Sequence, residues 1–446
     1  MKKYWIPVGL ALLAVVGFGI LSVSRFAHSG SQRIALRLQA IRAAGDPVSM
    51  SDYWNGPLRP EENGLAQLEF ASRDLLQFGK EHSELVESGY LGPGYRLSEE
   101  QVAEIDRMFA NVPDLLPRLR TVASCKRSVD DQLRAGNPFD VDRSDIFDNS
   151  KLAVMALTVD ALASASRGDG DDALAKCSVA LDLQVALRSF PTMLDVLQEF
   201  SSERVVFETA NHVLRITEPS EQAISDFKSA LMRIDHQARM GEAIKTERVH
   251  GVFLMQQLRS AEGLEDSEGT VYGIGGSLLS GTPFHEIYLN DDAEMYLDMM
   301  QTNLDAVGQS REIRTQMLRQ SVTTLSDSSF IRYSLSKLCQ PLNVECFDEM
   351  DRADARLAAM LLVCDWAAQL NDPASAPSAI KQIDPFGGKP MQVSKSSTGL
   401  TFYSVGENCI DDGGNIKDES ALPGLDIGFG PLLKLPSQDA AIAPGI

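Results

Sequence analysis

An uncharged run at its start most constrains what this chain can be. Lys2 and Lys3 precede Tyr4-Trp5-Ile6-Pro7-Val8-Gly9-Leu10-Ala11-Leu12-Leu13-Ala14-Val15-Val16-Gly17-Phe18-Gly19-Ile20-Leu21-Ser22-Val23, 20 residues without a charge. About 20 apolar residues span a bilayer as a helix, because a helix satisfies its own backbone amides where no water is present. Tyr4 and Trp5 stand at one edge, where amphipathic rings favour the interface. A cleaved export signal has a shorter apolar core, about 7–15 residues, ending at a small-residue site. Ser22-Val23-Ser24 offers such a site, but Arg25 follows it directly. The run therefore reads as an uncleaved single-pass transmembrane anchor, residues 1–25.

The formal net charge is −21, from 41 basic and 62 acidic residues in a chain of 446. No acidic residue precedes Asp46, whereas Lys2, Lys3, Arg25, Arg33, Arg37 and Arg42 all do. The acidic remainder repels phosphate backbones and disfavours nucleic acid as a partner. The basic residues beside the apolar run suit anionic lipid headgroups. Two rules oppose each other on orientation. More Arg after the run than Lys before it favours a cytoplasmic body. A minimal Lys-Lys tail before an apolar run has the form of an export signal.

The body reads as mainly α. Residues 26–145 form an N-terminal helical region, with Ile34, Leu38 and Ile41 at helical spacing before Gly45, and a helix over 61–80. Ser98-Glu99-Glu100-Gln101 is a capping box, and Pro113 and Pro117 break or restart the helix behind it. Asn137 to Asn149 reads as a polar loop. Residues 146–352 read as a helical-hairpin, solenoid-like body with a Gly/Ser-rich loop at 262–290. Within it the Gly168-Asp169-Gly170 turn stops one helix and caps the next. Pro219 is placed in the first turn of a long helix ending near Arg259, and helices resume at Asp291. Residues 353–430 read as a small C-terminal β-hairpin/loop module, with 391–396 pairing with 400–405 across Ser397-Thr398-Gly399. A disordered tail is expected over 431–446.

Six cysteines are too few for a disulfide scaffold, and no C-x-x-C occurs. Cys339 and Cys346 flank a short segment that either closes as a bridge in an oxidising compartment or leaves two thiols at helix ends. No H-E-x-x-H, G-x-S-x-G or phosphate-binding glycine loop is present. Glu247-Arg248 reads as a partly buried structural ion pair, and Ser225-x-x-Lys228 as a chance match to a penicillin-binding pattern. The runner-up to a non-enzymatic reading is a membrane-tethered hydrolase near the 262–291 loop, where His285, Glu286 and Asp291 could meet. Among the chemical signals, the turn Tyr403 to Gly414 stands out: Asn408, Asp411 and Asp412 sit among glycines, with Asp418, Glu419 and Asp426 downstream. Calcium takes six to eight oxygens on a flexible loop. A solvated Asp-Gly turn is the alternative.

Asp384-Pro385-Phe386-Gly387-Gly388-Lys389-Pro390, Phe402-Tyr403-Ser404-Val405-Gly406, Asp411-Asp412-Gly413-Gly414 and Asp426-Ile427 together resemble the C-terminal part of major pseudopilins of type II secretion. The likeness covers about residues 353–430. No pilin-type leader is present, and some 300 residues separate anchor from ending, so a filament subunit is not implied. The same ending resembles that of planctomycete-type membrane-anchored proteins of unknown function, which also carry a Gly-Asp-x-Asp-x-Ala-Leu turn, matched here at Gly168 to Leu174. The resemblance implies calcium ligation by Asp411, Asp412 and Asp426, with Asn408 and the Val405 carbonyl as further ligands. It also tips orientation toward an exported body. The expectation is an extracytoplasmic helical scaffold or interaction protein on a bacterial inner membrane, its body periplasmic. Its partners would be the lipid bilayer and another protein.

Overall fold

The computed structural model describes residues 5–53, 56–86, 96–130, 144–188, 191–259, 283–328, 333, 336–337, 343–368, 381–396, 399–416 and 425–432. Among these the chain is mainly helical, with one small antiparallel sheet. The helices are α1 (Trp5–Ala43), α2 (Gly64–Val86), α3 (Glu99–Asn111), α4 (Leu115–Ser124), α5 (Ser144–Ser166), α6 (Gly170–Leu187), α7 (Met193–Ile216), α8 (Glu221–Leu231), α9 (His236–Arg259), α10 (Pro283–Val307), α11 (Arg311–Ser326) and α12 (Asn343–Ala368). The strands are β1 (Gln392–Ser396), β2 (Gly399–Ser404) and β3 (Ile427–Leu432), in the order β1-β2-β3. Two compact units are assembled from non-contiguous stretches. The first takes 1–54, 133–138 and 241–344; the second takes the rest.

In the second unit, α5 and α6 are buried on more than one face and pack against α2, α4, α7 and α8. Their small residues explain this: Ala153, Ala156, Ala161, Ala163, Ala165, Ala173 and Ala180 are fully enclosed, so backbones approach closely on several sides. The hairpin turn between them follows the sequence. Gly168 takes φ +88°, and the Asp169 side chain accepts from the Asp172 amide at 3.0 Å. Lys176, enclosed beneath this turn, is held by Asp160 at 2.9 Å, Asp172 at 2.6 Å and the Ser164 hydroxyl at 2.7 Å. The two carboxylates and the hydroxyl replace the water that the ammonium gives up on burial.

The sheet closes the same core. Phe402 and Phe429 lie in it beside Phe207 of α7, whose ring meets Phe429 edge-on at 6.4 Å. The hairpin β1–β2 forms in the expected place, with Val393 opposite Phe402. The third strand was not expected: Ile427-Gly428-Phe429-Gly430-Pro431-Leu432 breaks alternation with two glycines. Its glycines are needed, since a Cβ on Gly428 would lie 2.0 Å from the Phe402 carbonyl oxygen. Pro431 and Leu432, placed in the expected tail, belong to this strand; 433–446 lie outside the described residues.

Other boundaries shift for identifiable reasons. The Ser98 capping box is present in full. Residues 144–149 start α5 rather than extend a polar loop. Pro219 precedes the cap of α8, which is Ser220, accepting from Ala223 N at 3.2 Å. The expected long helix is broken at 232–235, and Asp235 accepts from the Ala238 amide at 2.9 Å to start α9. α10 begins at Pro283, so 283–290 are helical rather than loop; proline suits the first helical position, where no amide partner is needed.

In the first unit, α1 packs on α10 and α10 on α11. Arg248, enclosed in α9, reaches Asp46 at 3.1 Å and the Pro47 carbonyl at 3.3 Å, so its ion-pair partner is Asp46. Lys245 shares that carboxylate at 3.2 Å. Among the described residues, no helix is long and apolar enough to cross a membrane. The side chains of residues 5–17, most of the expected anchor, lie outside the described residues, as does Cys339 of the possible Cys339–Cys346 bridge.

Candidate functional site

The acidic turn follows the C-terminal end of β2, the central strand, and is organised by carboxylates accepting backbone amides. Asp384 opens the construction from below. Its Oδ1 accepts from Phe386 N at 2.8 Å, Gly387 N at 3.2 Å and the Ser404 hydroxyl at 2.7 Å, while Oδ2 accepts from Val405 N at 2.9 Å. This fastens the Asp-Pro-Phe turn to the end of β2. Beyond it, Asn408 Oδ1 accepts from Ile410 N at 2.9 Å, and its Nδ2 donates to Asp412 Oδ2 at 3.2 Å. Asp411 Oδ1 accepts from Gly413 N and the Tyr403 hydroxyl, both at 2.9 Å. Buried Asp426 clasps the loop from the far side, Oδ1 to Asp412 N at 3.3 Å and Oδ2 to Gly414 N at 2.8 Å. Gly414 takes φ +81° and lies flat on Tyr403, where a Cβ would meet the ring at 3.2 Å.

The turn thus gathers Asp411, Asp412 and Asp426, the three carboxylates expected as ligands, with Asn408 beside them. For Val405 the fixed group is its amide, held by Asp384. Asp418 and Glu419 lie outside the described residues. Electrostatics show the strain of this gathering. Burial pushes the Asp426 carboxyl up, the Gly414 and Asp412 amides pull it down, and the Asp412 and Asp411 charges push it up again, for a net rise. Burial also raises the Tyr403 hydroxyl, reinforced by its bond to Asp411 and that carboxylate's charge. Tyr403 therefore stays a donor. The donors are all hard oxygens, the type calcium prefers, and a cation would relieve the repulsion that adds to the effect of burial on Asp426. Among the described residues, no group of three or more His, Cys, Asp or Glu side chains already surrounds one point. The donor types fit calcium; the carboxylates have still to converge on it.

Two other clusters escaped sequence reasoning, because their members are far apart in the chain. Glu199 of α7 lines a pocket of about 70 Å³ with Arg188, Arg239, Gln184, Phe147 and Val154. Arg239 binds Glu199 Oε2 through Nε at 3.0 Å and Nη2 at 2.9 Å, and Arg188 takes Oε1 through Nε at 2.9 Å. Among the described residues, the Gln184 amide finds no hydrogen-bond partner. Both oxygens of the Glu199 carboxylate are thus engaged by guanidinium groups. Near it, His236 is 2% exposed between Glu203 (Nε2, 2.8 Å) and Asp354 (Nδ1, 2.7 Å). Burial alone pushes the imidazole pKa down, but the Glu203 charge and the two carboxylate bonds outweigh it and raise it to about 10. Burial in turn pushes Glu203 up.

The residues of the hydrolase reading lie at the start of α10. Glu286 and Asp291 are five apart, about 140° around the helix axis, so they face different ways. Glu286 is exposed, and the His285 side chain lies outside the described residues. Lys228 of the Ser225-x-x-Lys228 match pairs with Asp365 of α12.

No protein-family model, no curated protein and no solved structure matches this chain.

Proposed function

We propose that the chain is a single-pass protein of a bacterial inner membrane, with a helical interaction scaffold on the periplasmic side and a C-terminal module steadied by calcium. The observation that carries this reading is the acidic turn itself. Asp411, Asp412 and Asp426 are drawn together beyond the end of β2, where their mutual repulsion adds to the effect of burial on Asp426 and a divalent cation would relieve that repulsion. The Asp384 knot and the Tyr403 ring already hold both ends of that turn. Asp411, Asp412 and Asp426 would supply carboxylate oxygens and Asn408 an amide oxygen, with the Val405 carbonyl at the margin. Calcium in this role is structural: it fixes a surface for a protein partner. The outer faces of the helices packed around α5 and α6 would supply that surface, as helical arrays do for other binding proteins.

Thermal unfolding of the full chain in detergent tests the metal. A ligand at 100 times its Kd stabilises a native state by about 2.7 kcal/mol. That predicts a rise of a few degrees in midpoint with millimolar calcium over chelator, abolished in Asp412→Ala. Equal melting in calcium and chelator would falsify the proposal. Protease access in spheroplasts tests the placement of the body.

A further inference from the structure

Three contacts set α1 and α10 side by side, running in the same direction, within the first unit. Asn290 Nδ2 donates to the Ala27 carbonyl at 2.9 Å and to the Ser31 hydroxyl at 3.2 Å. It does so over Gly30, where a Cβ would lie 2.8 Å from that nitrogen. Arg33 pairs with Glu294 at 2.8 Å, and Arg37 with Asp298 at 2.6 Å. The partners climb in step, 27–31 with 290, 33 with 294, 37 with 298. α9 runs the other way along α10: the Tyr296 hydroxyl donates to the Glu247 carbonyl at 2.6 Å, and Arg259 donates to Asn290 Oδ1 at 2.6 Å. The last turn of α9 and the first turns of α10 therefore flank α1 just after its apolar run.

Helical rise converts this register into depth. Asn290, bonded to Ala27 and Ser31, sits level with residue 29, about 9 Å past Val23 at about 1.5 Å per residue. Tyr288, two residues back, therefore lies about 6 Å past Val23. A headgroup layer is about 5–7 Å deep on each side of the hydrocarbon. Two rings sit bare in this interval: Phe26 is 56% exposed and Tyr288 42%. Arg25 is exposed one residue nearer the run than Phe26. Glu286 opposes contact with an anionic surface, but its charge acts on the Arg259 guanidinium close by. Asp291 lies farther from the run, beyond Asn290.

We propose that this corner of the first unit, with Phe26 and Tyr288 at its tip, seats in the headgroup layer of the bilayer that α1 crosses, as a second membrane contact. The inference rests on the anchor reading above. Amphipathic rings partition to that layer, with Tyr288 able to keep its hydroxyl in water.

The test uses the full chain in phosphatidylcholine–phosphatidylglycerol vesicles containing brominated lipid, which quenches tryptophan on contact. Phe18→Trp, Tyr288→Trp and Ile313→Trp are each compared with the parent chain. Ile313 is exposed on α11, just past the opposite end of α10. The expected result is loss of the added emission at position 18 with bromine deep in the acyl chain. At 288 the loss should come with bromine near the headgroup, and at 313 there should be none. Quenching at 18 with 288 behaving like 313 overturns the second contact and leaves the anchor standing. No quenching at 18 overturns the anchor and this inference together.

Discussion

His236 stands between Glu203 and Asp354 as a cation that the surrounding core would not otherwise tolerate. Removing one partner of a buried, bonded pair costs about 3–5 kcal/mol, because the other charge is left without compensation. His236→Ala should therefore lower the urea midpoint of the second unit, read from Trp366 in α12. The pH dependence follows from the direction of the shift. A raised imidazole pKa means the folded state holds its proton more tightly than the unfolded chain. The extra stability is complete below the ordinary value near 6.5 and fades as pH climbs toward about 10. Raised Glu203 acts in the same sense over its own range. A urea midpoint that stays level from neutral to alkaline pH in the parent would sink this account. Nothing local in the sequence marks His236, because its partners lie 33 and 118 positions away. Arg248 illustrates the same limit: its buried charge was legible from the helix pattern, its partner Asp46 was not.

Helices and strands were legible where a local signal sufficed. The Ser98 box, the Gly168-Asp169 turn and the β1–β2 hairpin all follow from residues within a few positions of one another. The break between α8 and α9 and the start of α10 had signals too, Asp235 and Pro283, but both were masked by a helical pattern or a glycine-rich stretch around them. β3 had none, because its two glycines serve close strand approach rather than alternation. Where elements meet, single atoms decide the fit. A Cβ on Gly251 of α9 would lie 2.2 Å from the Tyr296 ring of α10. Gly251→Ala should destabilise the first unit by about 1–3 kcal/mol, as overpacking does. Pairing it with Tyr296→Leu should recover part of that loss in a double-mutant cycle. Strict additivity would show that the two side chains do not share the space. Asp384 ties four donors from two segments, so Asp384→Ala should loosen the turn from β2. Leaving buried donors unpaired costs about 1–3 kcal/mol each, and amide exchange at Val405 and Phe386 should quicken first.

At the scale of the whole chain, the interleaving of the two units was not legible, since no composition shift marks where the chain passes from one to the other. The candidate metal turn was half legible. Its acidic residues and glycines were plain, and so was its place beside a strand. The roles of Asp384 and Tyr403 in holding it depend on pairings that only the fold creates. The net charge of −21 sharpens the calcium test. A strongly acidic protein gains some stability from any added salt, because screening weakens self-repulsion. At matched ionic strength calcium should outperform magnesium, which demands a tighter octahedral shell and sheds water reluctantly. Equal effects of the two ions would assign the gain to screening.

α1 continues without interruption from the apolar run into its berth on α10. A stalk built this way is a shaft keyed to its hub, not a rope. On the proposed anchor reading, any tilt or rotation of the apolar run would turn the keyed unit through the same angle. Breaking the helix between Val23 and Ala27, as a proline there would, cuts the linkage while both ends stay attached.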